Sequence, residues 1–251
     1  MVDAILVTAL HRQLPRLNHF LLLSDARDKS LKLIQYALKI VLAHHSPRNK
    51  KQLKALINAC SSARKMIRLG HWLVSLNEIV NFCGKSSFWG VFGNNDVWAV
   101  VDTISPFVDV FNDIADDLYA LGKFGVLSKH VQHRAEPWSN HLWFISILIS
   151  LSEQYRSYND LIHRIEKLRH HFKRPDEKGH TKEHSELQEK LYWWRISTVK
   201  LVMDLCFCGY DVFPWMQRKI PTDHWQAWSG MCSGMLATYK LYVKSQKTFS
   251  S

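Results

Sequence analysis

The sequence predicts an all-α protein, and three observations predict it. Glycine and proline are scarce, at ten and seven of 251 residues, and long helices need that scarcity because both residues break them. Apolar residues recur at helical spacing in several long segments, and no segment shows the alternation of a strand. The stretch 49–76 divides, wound at about 100° per residue, into an apolar and a basic face.

The first helix is expected to start after Ser24 or Asp25, either of which can cap it. Leu31, Ile34, Leu38, Val41 and Leu42 give it an apolar stripe, and it ends near His45, before Pro47. A basic helix follows, to about Phe82. Leu53, Leu56, Ile57, Cys60, Ala63, Ile67 and Val74 share one side of it; Lys50, Lys51, Lys54, Asn58, Ser61, Ser62, Lys65 and Arg68 share the other. No acidic residue appears there until Glu78. A polar face made of lysine and arginine alone suits an anionic membrane surface; an ordinary core helix with a basic solvent face gives the same pattern. Three residues fit poorly. Arg64 falls at the apolar edge, and Leu69 and Trp72 fall on the polar side, although Trp72 suits a headgroup-level anchor.

Residues 84–96 read as a loop holding Phe88-Trp89 and Phe92. Residues 106–128 form a further helix, with Phe107, Val110, Phe111, Ile114, Leu118 and Leu121 on one side. Its polar side carries Asp109, Asp113, Asp116 and Asp117, which is either a solvated face or a docking face for a basic helix, the chain's own included. From 153 to 195 charges of both signs are dense; 173–190 contains Pro175, Gly179 and almost no hydrophobes, and reads as a hydrophilic loop or hinge. The last two helices are expected at 191–213 and 224–244. No heptad array or internal repeat is seen. The organisation is therefore a helical region at 1–83, central helices at 84–152, a charged loop at 153–195 and apolar helices at 196–251.

Composition narrows the function. The length allows one large or two small domains, and a hydrophobic share of 47% suffices for a core. A net charge of +11 implies an acidic partner: nucleic acid, anionic lipid or an acidic protein. Five widely spaced cysteines, with no secretory leader expected at the apolar but short N-terminus, argue for reduced thiols. No segment reaches the roughly 18–20 uncharged residues of a simple membrane span. The best runs are 138–152 and 225–239; the apolar region 196–216 contains Lys200, Asp204 and Asp211. No phosphate-cradling glycine loop, nucleophile elbow or His-Glu-x-x-His is found, so catalysis and a cofactor are not expected. His180 and His184 have metal-ligand spacing, but zinc wants three or four ligands and no cysteine lies nearby, so no metal is expected.

Read in order, four segments resemble the peroxin-11 family of peroxisomal membrane proteins. They are Asp25-Ala26-Arg27-Asp28-Lys29 followed by Ile34-Gln35-Tyr36-Ala37; then Ala63-Arg64-Lys65-Met66-Ile67-Arg68-Leu69-Gly70; then Asp116-Asp117-Leu118-Tyr119-Ala120-Leu121-Gly122-Lys123-Phe124-Gly125-Val126-Leu127; and last Lys200-Leu201-Val202-Met203-Asp204 with a small-residue helix ending Tyr239-Lys240-Leu241. Together they cover most of the chain from 25 to 242. The aromatic insert 86–96 and the long stretch 153–195 depart from the pattern. The C-terminal Thr-Phe-Ser-Ser is not a peroxisomal import tripeptide.

The resemblance implies a membrane-associated helical bundle of the peroxisomal, or related glycosomal, membrane, with an amphipathic helix in its N-terminal half. It implies a non-enzymatic factor that elongates that membrane during proliferation and division. Its implied partners are anionic lipids, further copies of itself, a fission adaptor, a dynamin-related GTPase and the import receptor for peroxisomal membrane proteins. The membrane-binding set is then Lys50, Lys51, Lys54, Lys65, Arg68, Leu56, Ile57, Ile67 and Trp72. Asp116, Asp117, Gly122, Lys123 and Gly125 form a packing or assembly motif. Two other classes compete. A small-solute pore would use Lys200, Asp204 and Asp211 as a polar path, unless Lys200 and an aspartate simply neutralise each other. A nucleic-acid binder is suggested by charge alone and lacks a binding motif, so no nucleic-acid partner is expected.

Overall fold

The computed structural model describes residues 20–44, 49–83, 97–171, 178–219 and 222–250. They are helical almost throughout, with no strand among the described residues. The helices are α1 (Ser24–His44), α2 (Lys50–Arg68), α3 (Trp72–Cys83), α4 (Val97–Lys123), α5 (Lys129–His171), α6 (Lys178–Val212), α7 (Pro214–Lys219) and α8 (Thr222–Ser250). None of them is long and apolar enough to cross a membrane. The predicted 84–96 loop lies outside the described residues.

The chain forms two compact units. Unit 1 combines residues 1–67 with 222–251, and unit 2 is residues 68–221.

In unit 1, α1 and α8 run antiparallel. Phe20 meets Tyr242 edge to face at 5.5 Å, Lys32 Nζ donates to Ser233 Oγ at 3.0 Å, and His44 meets His224 at 4.9 Å. Small residues make the approach possible: Ala227 and Ser233 are fully buried, and a Cβ at Gly230 would stand 2.6 Å from the Tyr36 ring. The predicted apolar stripe of α1 is not its buried face. Ile34 and Val41 are exposed, and Ala26, Asp28, Gln35 and Tyr36 are buried instead. The physical reason is a polar core. Asp28 and Gln35 turn inward to meet Arg64, so the stripe rotates outward.

Unit 2 is a meander in which each long helix packs on the one before it, α3 on α4, α4 on α5 and α5 on α6. The α4–α5 pair is antiparallel: Arg156 binds Asp102 at 2.9 Å, Ser146 donates to Asp109 at 2.6 Å, and Gly122 lies against Gln132 at the turn. α4 starts nine residues earlier than the pattern suggested and carries Pro106 within it. Between α5 and α6, Trp194 Nε1 donates to the Gln154 carbonyl at 2.7 Å, and Cys208 Sγ to the Asn140 carbonyl at 3.3 Å.

The charged stretch 153–195 is helical at 153–171 and 178–195, which corrects the expected loop there; 172–177 lie outside the described residues. Leu161, Ile165 and Leu168 on α5 and Leu187, Leu191 and Trp194 on α6 recur at three- and four-residue steps. Leu187 and Leu191 are buried, and the charges project outward. So narrow a seam is enough for two helices, and it hides among charges when composition is averaged.

The formal charge divides completely between the units. Unit 1 holds 15 basic and 4 acidic residues, while unit 2 holds 18 of each, so all of the +11 belongs to unit 1.

Candidate functional site

The basic helix α2 shows three arcs rather than two faces. Ile57 and Cys60 are buried, and Leu53 and Arg64 share their side. Lys50, Lys51, Lys54 and Asn58 form an exposed polar arc, with Lys65 half-buried. Between them runs an apolar arc that the protein leaves open: Leu56 is 48% exposed, Met66 is 65% exposed, Ala59 is exposed, and Ala63 and Ile67 are half-buried. Of the predicted membrane set, Ile57 therefore belongs to the protein interior, while Leu56 and Ile67 border the open arc.

The misplaced Arg64 has a structural role. Its Nε donates to Asp28 Oδ1 at 2.9 Å and its Nη1 to Gln35 Oε1 at 3.0 Å, while Lys29 Nζ reaches Asp28 Oδ2 at 2.8 Å. The Asp28 side chain is only 3% exposed. Burial pushes its carboxyl upward, but Lys29 and Arg64 outweigh that and hold it below the ordinary carboxylate range. An arginine at an apolar edge was the clue, because a buried cation demands a buried acid.

The basic helix does not continue to 76. It stops at Arg68, and residues 69–71 form a turn with Gly70 at φ +80°, a left-handed value that glycine adopts without steric cost. Trp72 thus opens α3, lies in unit 2 and is half-buried, so it is not part of the arcs of α2.

Within unit 2 the acidic side of α4 receives this turn. The Gly70 N–H donates to Asp117 Oδ2 at 2.8 Å, His71 Nδ1 lies 2.9 Å from Asp113 Oδ2, and Arg68 Nη1 lies 4.0 Å from Asp116. Three of the four aspartates thus face the end of the basic helix and the turn after it, and Asp109 faces Ser146, so neither a wholly solvated face nor a basic helix docked along α4 describes them. Burial raises the Asp117 carboxyl, against the Gly70 N–H bond, with Asp116 and Asp113 adding repulsion. Burial likewise raises Asp109, against its bond from Ser146. His71 and Gly70 escaped the sequence reading because a continuous helix was assumed across them.

The remaining motif residues shape the α4–α5 turn. A Cβ at Gly122 would stand 2.7 Å from Gln132 Cβ, so only glycine permits this crossing, and Gly125 has φ +79°. Lys123 is exposed. Two of the three polar residues of the competing pore reading pair with each other, since Lys200 Nζ lies 3.1 Å from Asp204 one turn away. Burial, with Asp211 and Asp204 nearby, pushes the Cys208 thiol up to about 12, which keeps it protonated and unreactive. Among the described residues no cluster of three or more His, Cys, Asp or Glu is arranged to hold a metal ion.

The sequence model of the family described as Peroxisomal biogenesis factor 11 (PEX11) matches residues 14–242. The chain belongs to the PEX11 family. Nothing among curated proteins or among solved structures matches it. As a PEX11 protein it is a peroxisomal factor of peroxisome biogenesis and proliferation, and PEX11 is not a known enzyme family. The structure connects its motifs in space. Asp28 and Gln35 of the first segment bind Arg64 of the second, and Asp117 of the third binds Gly70 at the end of the second.

Proposed function

We propose that this PEX11 protein elongates and curves the peroxisomal membrane by laying α2 into one leaflet, with its open apolar arc in the lipid and its lysines at the headgroups. The observation that carries this is the threefold division of α2. Leu56, Ala59 and Met66 remain exposed beside Lys50, Lys51 and Lys54, while Ile57 and Cys60 are buried and Arg64 bonds the helix to Asp28 of α1. Insertion then needs no unfolding. The confinement of all net charge to unit 1 supports the same reading, because an anionic surface attracts that unit and is indifferent to the other.

The magnitudes suffice for reversible binding. Three exposed lysines contribute up to about 3 kcal/mol at an anionic surface, less with salt screening. Full burial of Leu56 and Met66 adds about 3 kcal/mol. A shallow helix expands one leaflet relative to the other, and self-association of the protein concentrates the resulting curvature into a tubule. A fission adaptor and a dynamin-related GTPase then act on that tubule.

The test uses the full-length protein with anionic vesicles, read by co-sedimentation and electron microscopy. Lys51→Glu with Lys54→Glu should reduce binding by about a hundredfold, and Leu56→Glu with Met66→Glu should abolish tubules while helicity is kept. Arg68→Glu is a poorer probe, since Arg68 also faces Asp116. Undiminished tubulation by both double variants would remove α2 from the mechanism.

A further inference from the structure

The antiparallel pair α4 and α5 leaves an apolar groove of about 600 Å³ within unit 2. Phe111, Ile114 and Leu118 line one wall, and Val131, Trp138 and Leu142 the other. The floor is made of small residues, Ala115 and Ala135, both buried. The Gly122 crossing and the Gly125 turn close one end. Near that end stand the two polar lining residues, His130 and Arg134. Arg134 is exposed and pairs with no carboxylate among the described residues.

Volume, polarity and length together select a ligand class. The volume falls in the range of small-molecule sites, about 300–1,000 Å³. Apolar walls with one cationic end match a long hydrocarbon with one anionic end. Residues 130 to 142 span about 18 Å along α5, a length suited to an extended acyl chain.

We infer that this groove binds a single-chain anionic amphiphile, its acyl chain running between Phe111 and Trp138 and its head on Arg134. The chemistry is shared by a free fatty-acyl carboxylate and by an anionic lysophospholipid. The inference stands on unit 2 alone and does not depend on α2 reaching a membrane.

The test is displacement of an environment-sensitive fluorescent fatty acid from the full-length protein, at concentrations below micelle formation. Palmitate, palmitoyl lysophosphatidate and palmitoyl alcohol are the competitors. Stronger displacement by palmitate assigns a free acid; stronger displacement by the lysophospholipid assigns a membrane-derived ligand. Each methylene removed from a buried chain should weaken binding up to about fourfold. Arg134→Gln should weaken both anions about tenfold and leave the alcohol unchanged. Leu118→Trp on the exposed rim and Ala135→Trp on the floor should block all three, with circular dichroism reporting that each variant folds. Lys51→Glu with Lys54→Glu should leave palmitate binding intact even where vesicle binding is lost. The inference is overturned if no competitor displaces the probe, or if folded Leu118→Trp binds as wild type does. It also falls if the rim variants abolish self-association while no amphiphile binds, which would make the groove a protein interface.

Discussion

Unit 1 and unit 2 bury carboxylates with opposite results. Asp28 in unit 1 lies deeper than Asp117 in unit 2, yet its carboxyl is held below the ordinary range while that of Asp117 is raised. Burial pushes both upward. The difference is the company: Lys29 and Arg64 both bond to Asp28, whereas Asp117 has one backbone N–H and two neighbouring aspartates. Burial sets the cost of a charge, and the cations within reach decide whether the charge stays.

The sharpest way to break this contrast is to remove the unit 1 cation. Arg64→Met should destabilise unit 1 by about 3 kcal/mol, because it leaves the buried Asp28 carboxylate with Lys29 as its remaining charged partner and Gln35 without its donor. Adding Asp28→Asn should recover much of the loss. Hydrogen exchange, read separately for α1 and for α4, should show the change in the former only; equal loss in both would deny the units their independence.

Next in size is Gly230→Ala. Its new Cβ would press on the Tyr36 ring, and overpacking of this kind costs about 1–3 kcal/mol. Gly125→Ala, in open space but at φ +79°, should cost about 1 kcal/mol from backbone conformation alone. A chemical denaturation series that ranks Gly125→Ala above Gly230→Ala would refute the close α1–α8 approach.

Acidity separates the units by sign. The folded Asp28 carboxyl is depressed, so its contribution is complete above the ordinary carboxylate value near pH 4 and is lost as pH falls through the depressed value. The folded Asp109 and Asp117 carboxyls are raised, so their contribution is complete below that ordinary value and is lost as pH rises through the raised ones. Mild acidification should therefore protect amides of α4 before it exposes those of α1. Smallest of all, Asp117→Asn should be close to neutral, since an amide oxygen still accepts from Gly70, whereas Asp117→Ala should cost about 1 kcal/mol. Equal melting temperatures for the two variants would sink the claim that this bond holds the turn.

Much of the fold was legible because helices repeat at short range. The bounds of α1 followed from its caps and Pro47, and the start of α2 from its spacing, though not its end at Arg68. What escaped had a physical reason in each case. Leu69 and Trp72 sat on the wrong face of a continuous helix, and that phase error is what a break at Gly70 produces. Ile34 and Val41 mark an apolar stripe, but a stripe does not say whether protein or something else covers it. The seam through Leu187 and Leu191 is too thin to raise local hydrophobicity. Most of the segregated charge lies in residues 1–67 and shows along the chain, but its union with 222–251 in one unit does not. Of the candidate site, the lysines of α2 were legible, and the division of its apolar residues between an inner and an open arc was not, since it depends on where Arg64 finds Asp28.

The unequal helix lengths of unit 2 have a mechanical consequence. α5 has 43 residues and α4 has 27, about 64 Å and 40 Å. Arg156 meets Asp102 near the start of α4, so roughly ten residues of α5 run on past Val97, where within unit 2 α5 packs on α6. This pair of helices is held by the seam through Leu187 and Leu191. Seven residues added to both of its helices would keep that seam in register, whereas one or two would swing it toward solvent. The length of that helix pair can thus be changed in whole steps, like a telescoping rod, without disturbing the crossing at Gly122.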